Sequence, residues 1–330
     1  MSTEITSVSV SGCYWTGSSA VLDLLKEHSS CVIIPDEFSA YSYGQFFEEV
    51  LHPLREGIFH KSAIEKNLTR FIEFNKNEPP ILFAVIRRFC HLISFYPEQL
   101  FYRRMGIGTI LGKKYRAACE SFVVHLRELE KDIGPVGTEH LLKLLDQILV
   151  EGTCGALSNI SRAMPEQKLI GVFDQFIAAP YIEFAKPWLP DTKFINVDRD
   201  WRDQYVEMRP EMDRMIKVNN SIGARPWAEH ITDRLPTKID FFVGLRKRVE
   251  LLKARRDKNA QTIWLKFEDL VTDVDRVAVD LFDFLDIDKE NWSPGTVFIP
   301  TKSATNIGKW RKSPYQDELE IIEFELSRQF

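Results

Sequence analysis

The chain has few cysteines, and their arrangement disfavours two classes of protein. Five cysteines occur in 330 residues, and no two of them form a CxxC pair. Disulfide frameworks use an even number of closely spaced cysteines, and structural zinc sites use paired ones. We therefore expect neither a disulfide framework nor a metal site, and we expect the cysteines to be reduced.

Long apolar runs and an excess of basic charge are also missing. No apolar run approaches the roughly 20 residues that a membrane-spanning helix needs. The 43 basic and 48 acidic side chains give a formal net charge of -5, which disfavours extensive contact with nucleic acid or an anionic membrane. The start of the chain, MSTEITSVSV, lacks the basic and apolar regions of a leader peptide. We expect a cytoplasmic protein with no transmembrane segment and no nucleic-acid partner.

Strand-like and helix-like patterns alternate along the chain, which favours an α/β fold with a central parallel sheet. From about residue 45 to 150 the apolar spacing is that of helices, so we interpret this part as a large helical insertion. A polar loop and a helix are predicted for about residues 300–330, and Ser313 or Pro314 could start that helix. We predict a single domain over residues 1–330. The strand-like segments are TSVSVSG, CVIIP, KLIGVFD, KFINVD and TIWLKF.

The segment SGCYWTGSSA, residues 11–20, joins the first predicted strand to the first predicted helix. Gly12 and Gly17 have the spacing of the triphosphate loop G-x-x-x-x-G-K-[ST], but Ser18 stands at the lysine position. A glycine turn at a helix start directs backbone N–H groups and the positive end of the helix dipole at one spot. The loop therefore predicts a site for a smaller phosphate ligand, and an ordinary glycine turn with serine caps is the alternative.

Five segments, in the same order, resemble the sulfotransferase family. GCYWTGSS resembles the family's first loop, G-x-P-[RK]-S-G-T-T, and FINVDRDWRDQYVE resembles its strand followed by an arginine, RDPRDVYVS. GVFDQ, WLKFEDL and NIGKWRKS resemble three further segments of the family. The resemblance implies a three-layer P-loop-like fold that binds 3′-phosphoadenosine 5′-phosphosulfate and transfers its sulfuryl group to a hydroxyl.

The resemblance also implies a donor site made of two loops and one arginine. Arg199 would meet the 3′ phosphate, because its planar fork donates two charge-assisted hydrogen bonds and stays charged. The alternative for Arg199 is a surface ion pair with Asp198, Asp200 or Asp203, and for the last loop a solvated basic turn. The first loop would hold the 5′ phosphosulfate, and the last would close over the 3′ phosphate, with Trp310 packing or stacking. The implied residues are Gly12, Trp15, Thr16, Gly17, Ser18 and Ser19 in the first loop and Gly308, Lys309, Trp310 and Arg311 in the last.

The reaction needs a base that removes the acceptor proton. Glu37 follows the strand-like CVIIP, where family members with a glutamate base have it, and Asp36 is its competitor. A neighbouring carboxylate would raise the pKa of whichever acid is more buried. The alternative is that both acids cap the following segment. The expected acceptor is a hydroxyl of a glycan, a glycolipid or a small metabolite.

Three residues depart from the family pattern. Trp15 replaces the basic residue of the first loop, and Gln175 stands where lysine is common. Glu207 stands eight residues after Arg199, where the family has serine, and an acid beside a phosphate repels it. The alternative function is therefore a diverged, catalytically inactive protein that binds a nucleotide or a partner. A P-loop kinase is disfavoured by Ser18.

Overall fold

Five strands form one sheet in the order β2-β3-β1-β4-β5 in the computed structural model of the chain. β2 pairs with β3, and β4 with β5, in parallel register. The predicted α/β fold with a central parallel sheet is confirmed, and each strand overlaps a segment predicted as a strand. The strands are β1 (Ile5–Gly12), β2 (Cys31–Ile34), β3 (Leu169–Asp174), β4 (Lys193–Asp198) and β5 (Thr262–Lys266). The structure describes residues 5–12, 15–34, 46–55, 58, 64–65, 67–68, 71–72, 107–128, 135–159, 168–177, 179–219, 235–254 and 261–328.

The chain divides into two compact units, and the first comprises Met1–Ser9, Ser30–Phe176 and Tyr181–Thr192. Its aromatic core includes Phe122, whose ring centroid lies 5.9 Å from that of Phe46. Most of its described helices lie in the predicted insertion, and the last of these runs past the predicted end at residue 150. The helices are α2 (His52–Arg55), α3 (Ile107–Glu128), α4 (Pro135–Asn159) and α5 (Ile182–Ala185).

The second unit comprises Val10–Ser29, Ile177–Pro180 and Lys193–Phe330. Its core includes Tyr205, Met208, Phe242 and Ile322, all fully buried. The predicted single domain over the whole chain stays a prediction. The helices of this unit are α1 (Ser18–Lys26), α6 (Trp201–Asn219), α7 (Leu235–Ala254), α8 (Phe267–Thr272), α9 (Val274–Leu285), α10 (Pro300–Ala304) and α11 (Gln316–Ser327).

The last helix begins later than the sequence predicted. α11 starts at Gln316, whereas Ser313 and Pro314 belong to the connection between α11 and the short 3-10 helix Lys309–Lys312. The Ser313 hydroxyl accepts a hydrogen bond from the Tyr315 N–H at 3.2 Å, so it closes a turn in front of the helix. Within the described ranges, every helix is too short or too polar to cross a bilayer.

Candidate functional site

The loop between β1 and α1 lies at the carboxyl end of the central strand of the sheet. β1 has β3 on one side and β4 on the other, and α/β sheets bind ligands where the strand order reverses in this way. Gly17 has a left-handed backbone, φ 90°, and a Cβ there would lie 2.3 Å from the ring of Phe267, so the position requires glycine. α1 begins at the next residue, and its first turn contains no acidic side chain. The N-terminus of α1 is therefore free of internal negative charge.

Thr16 has a buried hydroxyl that no described residue satisfies. The residue is 2% exposed, and its Oγ1 has no hydrogen-bond partner among the residues that the structure describes. A Cβ on Gly12 would stand 1.8 Å from this oxygen, so the glycine leaves the space that the hydroxyl fills. An unsatisfied buried hydroxyl costs about 1–3 kcal/mol, and such groups are rare in folded proteins. Beside a helix N-terminus, this hydroxyl is suited to bond an anionic ligand.

Trp15 contributes its backbone to the loop. Its φ of 46° is left-handed, which is unusual for a bulky residue. The side chain is partly buried and packs against the core of the second unit. The Trp15 carbonyl accepts a hydrogen bond from Arg199 Nη1 at 3.2 Å. Trp15 therefore links the loop to the Arg199 cation through its backbone carbonyl, although its own side chain is uncharged.

Arg199 follows the end of β4 and is buried, with 4% of the residue exposed. Besides the Trp15 carbonyl, its guanidinium donates to Glu207 Oε2 at 2.7 Å and to the carbonyl of Asn306. The guanidinium carbon lies 5.0 Å from the centroid of the Phe267 ring, the same ring that packs on Gly17. Arg199 thus joins the first loop to the last loop. Its carboxylate partner among the described residues is Glu207, in place of the three aspartates that the sequence offered.

Glu207 bonds two cations at once. Oε2 accepts from Arg199, and Oε1 accepts from Lys309 Nζ at 2.7 Å. Burial alone would raise the pKa of Glu207, but the hydrogen bonds from the two cations outweigh burial and hold the pKa below its ordinary value of 4.5. Glu207 is therefore ionised at neutral pH. The acid that looked unfavourable in the sequence is neutralised by the two cations expected to bind a phosphate.

The last loop is held by α6 through Asp203. This carboxylate is 1% exposed and accepts the backbone N–H groups of Gly308 at 2.7 Å and Trp310 at 3.0 Å. The Trp310 ring packs against the core of the second unit, and the Arg202 guanidinium carbon lies 4.1 Å from its centroid. The Arg311 guanidinium carbon lies 5.4 Å from the same centroid. The described contacts of Trp310 are those of a packed residue between two arginines.

The predicted site residues are thus brought together in part. The first loop and Arg199 meet directly, and Lys309 meets Arg199 through Glu207. Ser18 is buried and Ser19 is exposed at the start of α1, while Gln175 follows β3 with a left-handed φ of 53°. Glu37 and Asp36 lie outside the described residues.

Sequence reasoning did not find the roles of three residues in this site. The Phe267 ring supports Gly17 and Arg199, the Asn306 carbonyl accepts from Arg199, and Asp203 anchors the last loop. Asp203 was considered only as a surface partner of Arg199. A signal for its capping role was absent because its partners lie more than 100 residues away, at Gly308 and Trp310.

Comparison with known proteins gives a likeness to solved structures alone. No protein-family model matches the chain, and no curated protein matches it. A sulfotransferase domain from the curacin biosynthetic pathway is 13% identical, with a TM-score of 0.40 over 99% of both chains. The sulfotransferase domain of a Synechococcus olefin synthase is 13% identical, with a TM-score of 0.41 over 98% of this chain and 94% of that one. A sulfotransferase of Mycobacterium avium is 9% identical, with a TM-score of 0.40 over 99% of this chain and 76% of that one. The chain is similar to these sulfotransferases over nearly its whole length, while its α/β fold is established by its own strand order.

Proposed function

We propose that the chain is a sulfotransferase. It would transfer a sulfuryl group from a nucleoside 5′-phosphosulfate to a hydroxyl of a glycan, a glycolipid or a small metabolite. The sequence resemblance points to 3′-phosphoadenosine 5′-phosphosulfate as the donor. The observation that carries the proposal is the buried Thr16 hydroxyl, which has no partner among the described residues and lies in a glycine loop at the N-terminus of α1.

Sulfuryl transfer is, like phosphoryl transfer, mainly in-line positioning and stabilisation of charge. The acceptor oxygen attacks the sulfur, and the bond between the sulfur and the phosphate oxygen breaks. Negative charge then grows on the leaving phosphate. The α1 N-terminus and the Thr16 hydroxyl would stabilise this charge, and Arg199, which bonds the neighbouring Trp15 carbonyl, adds positive potential.

The proton of the acceptor hydroxyl must pass to a base. Glu37, with Asp36 as its competitor, is the proposed base, because it stands three residues after the end of β2 in the sequence. A carboxylate serves this role when its surroundings raise its pKa towards neutrality. The base assignment rests on the sequence, since both acids lie outside the described residues.

A second candidate function is nucleotide binding without transfer. Glu207 accepts hydrogen bonds from both Arg199 and Lys309, and Trp15 stands where the family pattern has a basic residue. Fewer cations are therefore available to the leaving phosphate than the family pattern supplies. This candidate predicts that the protein binds an adenine nucleotide but turns over no acceptor in a wide panel.

The deciding experiment combines donor turnover with nucleotide binding in one set of proteins. The purified chain is assayed with labelled phosphosulfate donors and a panel of hydroxyl acceptors, beside the double variant Glu37→Gln, Asp36→Asn. We expect turnover by the unmodified chain, loss of turnover in the double variant and unchanged nucleotide affinity in both. Glu139→Gln is the control, because Glu139 is an exposed acid on α4 that pairs only with Lys143 among the described residues.

The outcomes separate the two candidates. Full turnover by the double variant would show that neither Glu37 nor Asp36 is the base. Nucleotide binding without turnover by the unmodified chain would favour the second candidate. Absence of nucleotide binding would contradict both.

A further inference from the structure

Arg199, which bonds the first loop, and Lys309 of the last loop have one carboxylate between them among the described residues. Arg199 and Lys309 each donate to Glu207 at 2.7 Å, and the three groups together carry a net charge of +1. Glu207 stays ionised at neutral pH, because these bonds hold its pKa below the ordinary value. The site therefore already contains one anion of its own.

Both Nη atoms of Arg199 already donate within the chain. A guanidinium has five N–H donors, and three hydrogen bonds already go to Trp15, Glu207 and Asn306 of the chain itself. This leaves one Nη2 N–H and the buried Nε–H, which has no partner among the described residues. Bidentate recognition of phosphate needs a pair of parallel donors, and the Nη1 and Nη2 pair cannot supply it because both Nη1 N–H groups are taken. A phosphate on the ribose would have to displace Glu207 from Arg199 or bind beside it. A phosphate beside the Glu207 carboxylate would be repelled, because both groups are negatively charged.

We propose that Glu207 is a specificity-determining residue that makes the site select nucleotides whose ribose carries no phosphate. This inference rests on the proposed function and narrows its donor. Glu207 takes the place of the second phosphate on Arg199 and Lys309, which leaves the loop and the N-terminus of α1 for the 5′ group. The donor class is a nucleoside 5′-phosphosulfate with a free 3′-hydroxyl, and the nucleotide product is a nucleoside 5′-phosphate.

The test compares two stable nucleotides that differ by one phosphate. Adenosine 5′-phosphate and adenosine 3′,5′-bisphosphate are titrated by calorimetry into the unmodified chain and into Glu207→Gln. Glu250→Gln is the matched control, because Glu250 also bonds one arginine and one lysine, Arg246 at 2.7 Å and Lys253 at 3.0 Å. Thermal denaturation of each protein checks that it is folded.

We expect the unmodified chain to bind the bisphosphate no more tightly than the monophosphate. In Glu207→Gln the bisphosphate should bind at least tenfold more tightly than in the unmodified chain, while the monophosphate changes by less than twofold. Glu250→Gln should leave both affinities unchanged. As a functional readout, adenosine 5′-phosphosulfate should support transfer with a kcat/KM at least equal to that of its 3′-phosphorylated form.

A tenfold preference of the unmodified chain for the bisphosphate would overturn the inference. The same ratio of affinities in Glu207→Gln and in the unmodified chain would also overturn it. Neither result contradicts the proposed function, because a nucleotide still binds and turnover is tested separately. If neither nucleotide binds, the proposed function fails together with the inference. If Glu207→Gln does not fold, the ratio measured on the unmodified chain decides alone.

Discussion

Two clusters of the second unit have the same composition at their centre, an arginine and a lysine around a glutamate, yet they differ in charge. Around Glu250, the cations Arg246 and Lys253 also bond Asp198, so two cations meet two carboxylates. Around Glu207, Arg199 and Lys309 have this one carboxylate between them. The first cluster is neutral and the second has a charge of +1.

The two clusters also differ in how completely their surroundings are hydrogen-bonded. Arg246 also donates to the Gln204 side chain at 3.2 Å, and its cluster ties α7 to the end of β4. Arg199 lies against the loop that contains Thr16. Among the described residues, neither the buried Thr16 hydroxyl nor the buried Nε of Arg199 has a partner. A cluster with balanced charge and complete hydrogen bonding, like that around Glu250, stabilises the folded chain. A cluster with net positive charge beside donors that lack partners, like that around Glu207, indicates a site for an anion.

The largest effect is expected in the neutral cluster. Arg246→Met leaves Asp198 and Glu250 buried or half-buried with Lys253 as their remaining cation, and breaking a buried ion pair costs about 3–5 kcal/mol. Urea denaturation should show a fall of about this size in the free energy of unfolding. Arg276→Met is the control, because Arg276 pairs with exposed aspartates of the surface, and its removal should cause no measurable change. Equal losses in the two variants would contradict the difference drawn between buried and surface ion pairs.

A smaller effect is expected from a substitution in the loop between β1 and α1, which should raise stability and weaken nucleotide binding. Thr16→Val keeps the shape of the side chain and removes the unsatisfied hydroxyl, so the free energy of unfolding should rise by ~1 kcal/mol. The affinity for adenosine 5′-phosphate should fall by about tenfold, because one hydrogen bond to an anion is lost.

Thr153→Val is the matched control for Thr16→Val. The Thr153 hydroxyl is buried but already donates to the Leu149 carbonyl at 2.9 Å, so its removal should not stabilise the chain and should leave binding unchanged. If Thr16→Val destabilises the protein as Thr153→Val does, the Thr16 hydroxyl has a partner after all.

The smallest effect is expected in the pH dependence of stability, through the ionisation of Glu207. The folded pKa of Glu207 lies below its ordinary value of 4.5, so its ionised form stabilises the native state. This contribution is fully present above about pH 4.5 and is lost as the pH falls through the folded pKa. Urea denaturation at a series of pH values below 5 should show a shallower decline for Glu207→Gln than for the unmodified chain. Parallel curves for the two proteins would mean that Arg199 and Lys309 do not stabilise the ionised acid.

Much of the sheet and the position of the loop were predictable, because both depend on local pattern. β1 is predicted by its alternating pattern and β2 by a short run of β-branched residues, and Gly12 and Gly17 mark the turn between β1 and α1 by their spacing alone. The contacts of the site were less predictable. The sequence offered three neighbouring aspartates to Arg199, whereas its partner is Glu207 on α6, because the direction of α6 decides which acid meets the guanidinium.

Contacts between distant segments could not be predicted from one sequence. That Phe267 lies against Gly17 depends on how α8 packs on α1, and that Asp203 anchors Gly308 depends on the path of the last loop. The start of α11 was missed for a local reason, since a serine near a helix start can cap the helix or close a turn before it. Ser313 closes the turn.

The position of Arg199 has a consequence for biosynthesis. Its two carbonyl acceptors, Trp15 and Asn306, lie 184 residues before it and 107 residues after it. Chains leave the ribosome from the amino end, so the glycine loop is exposed to the cell long before the Asn306 carbonyl has been made. The contacts that join the first loop to the last loop therefore form late, and the nucleotide that we propose for this site would act as a late folding ligand rather than an early one.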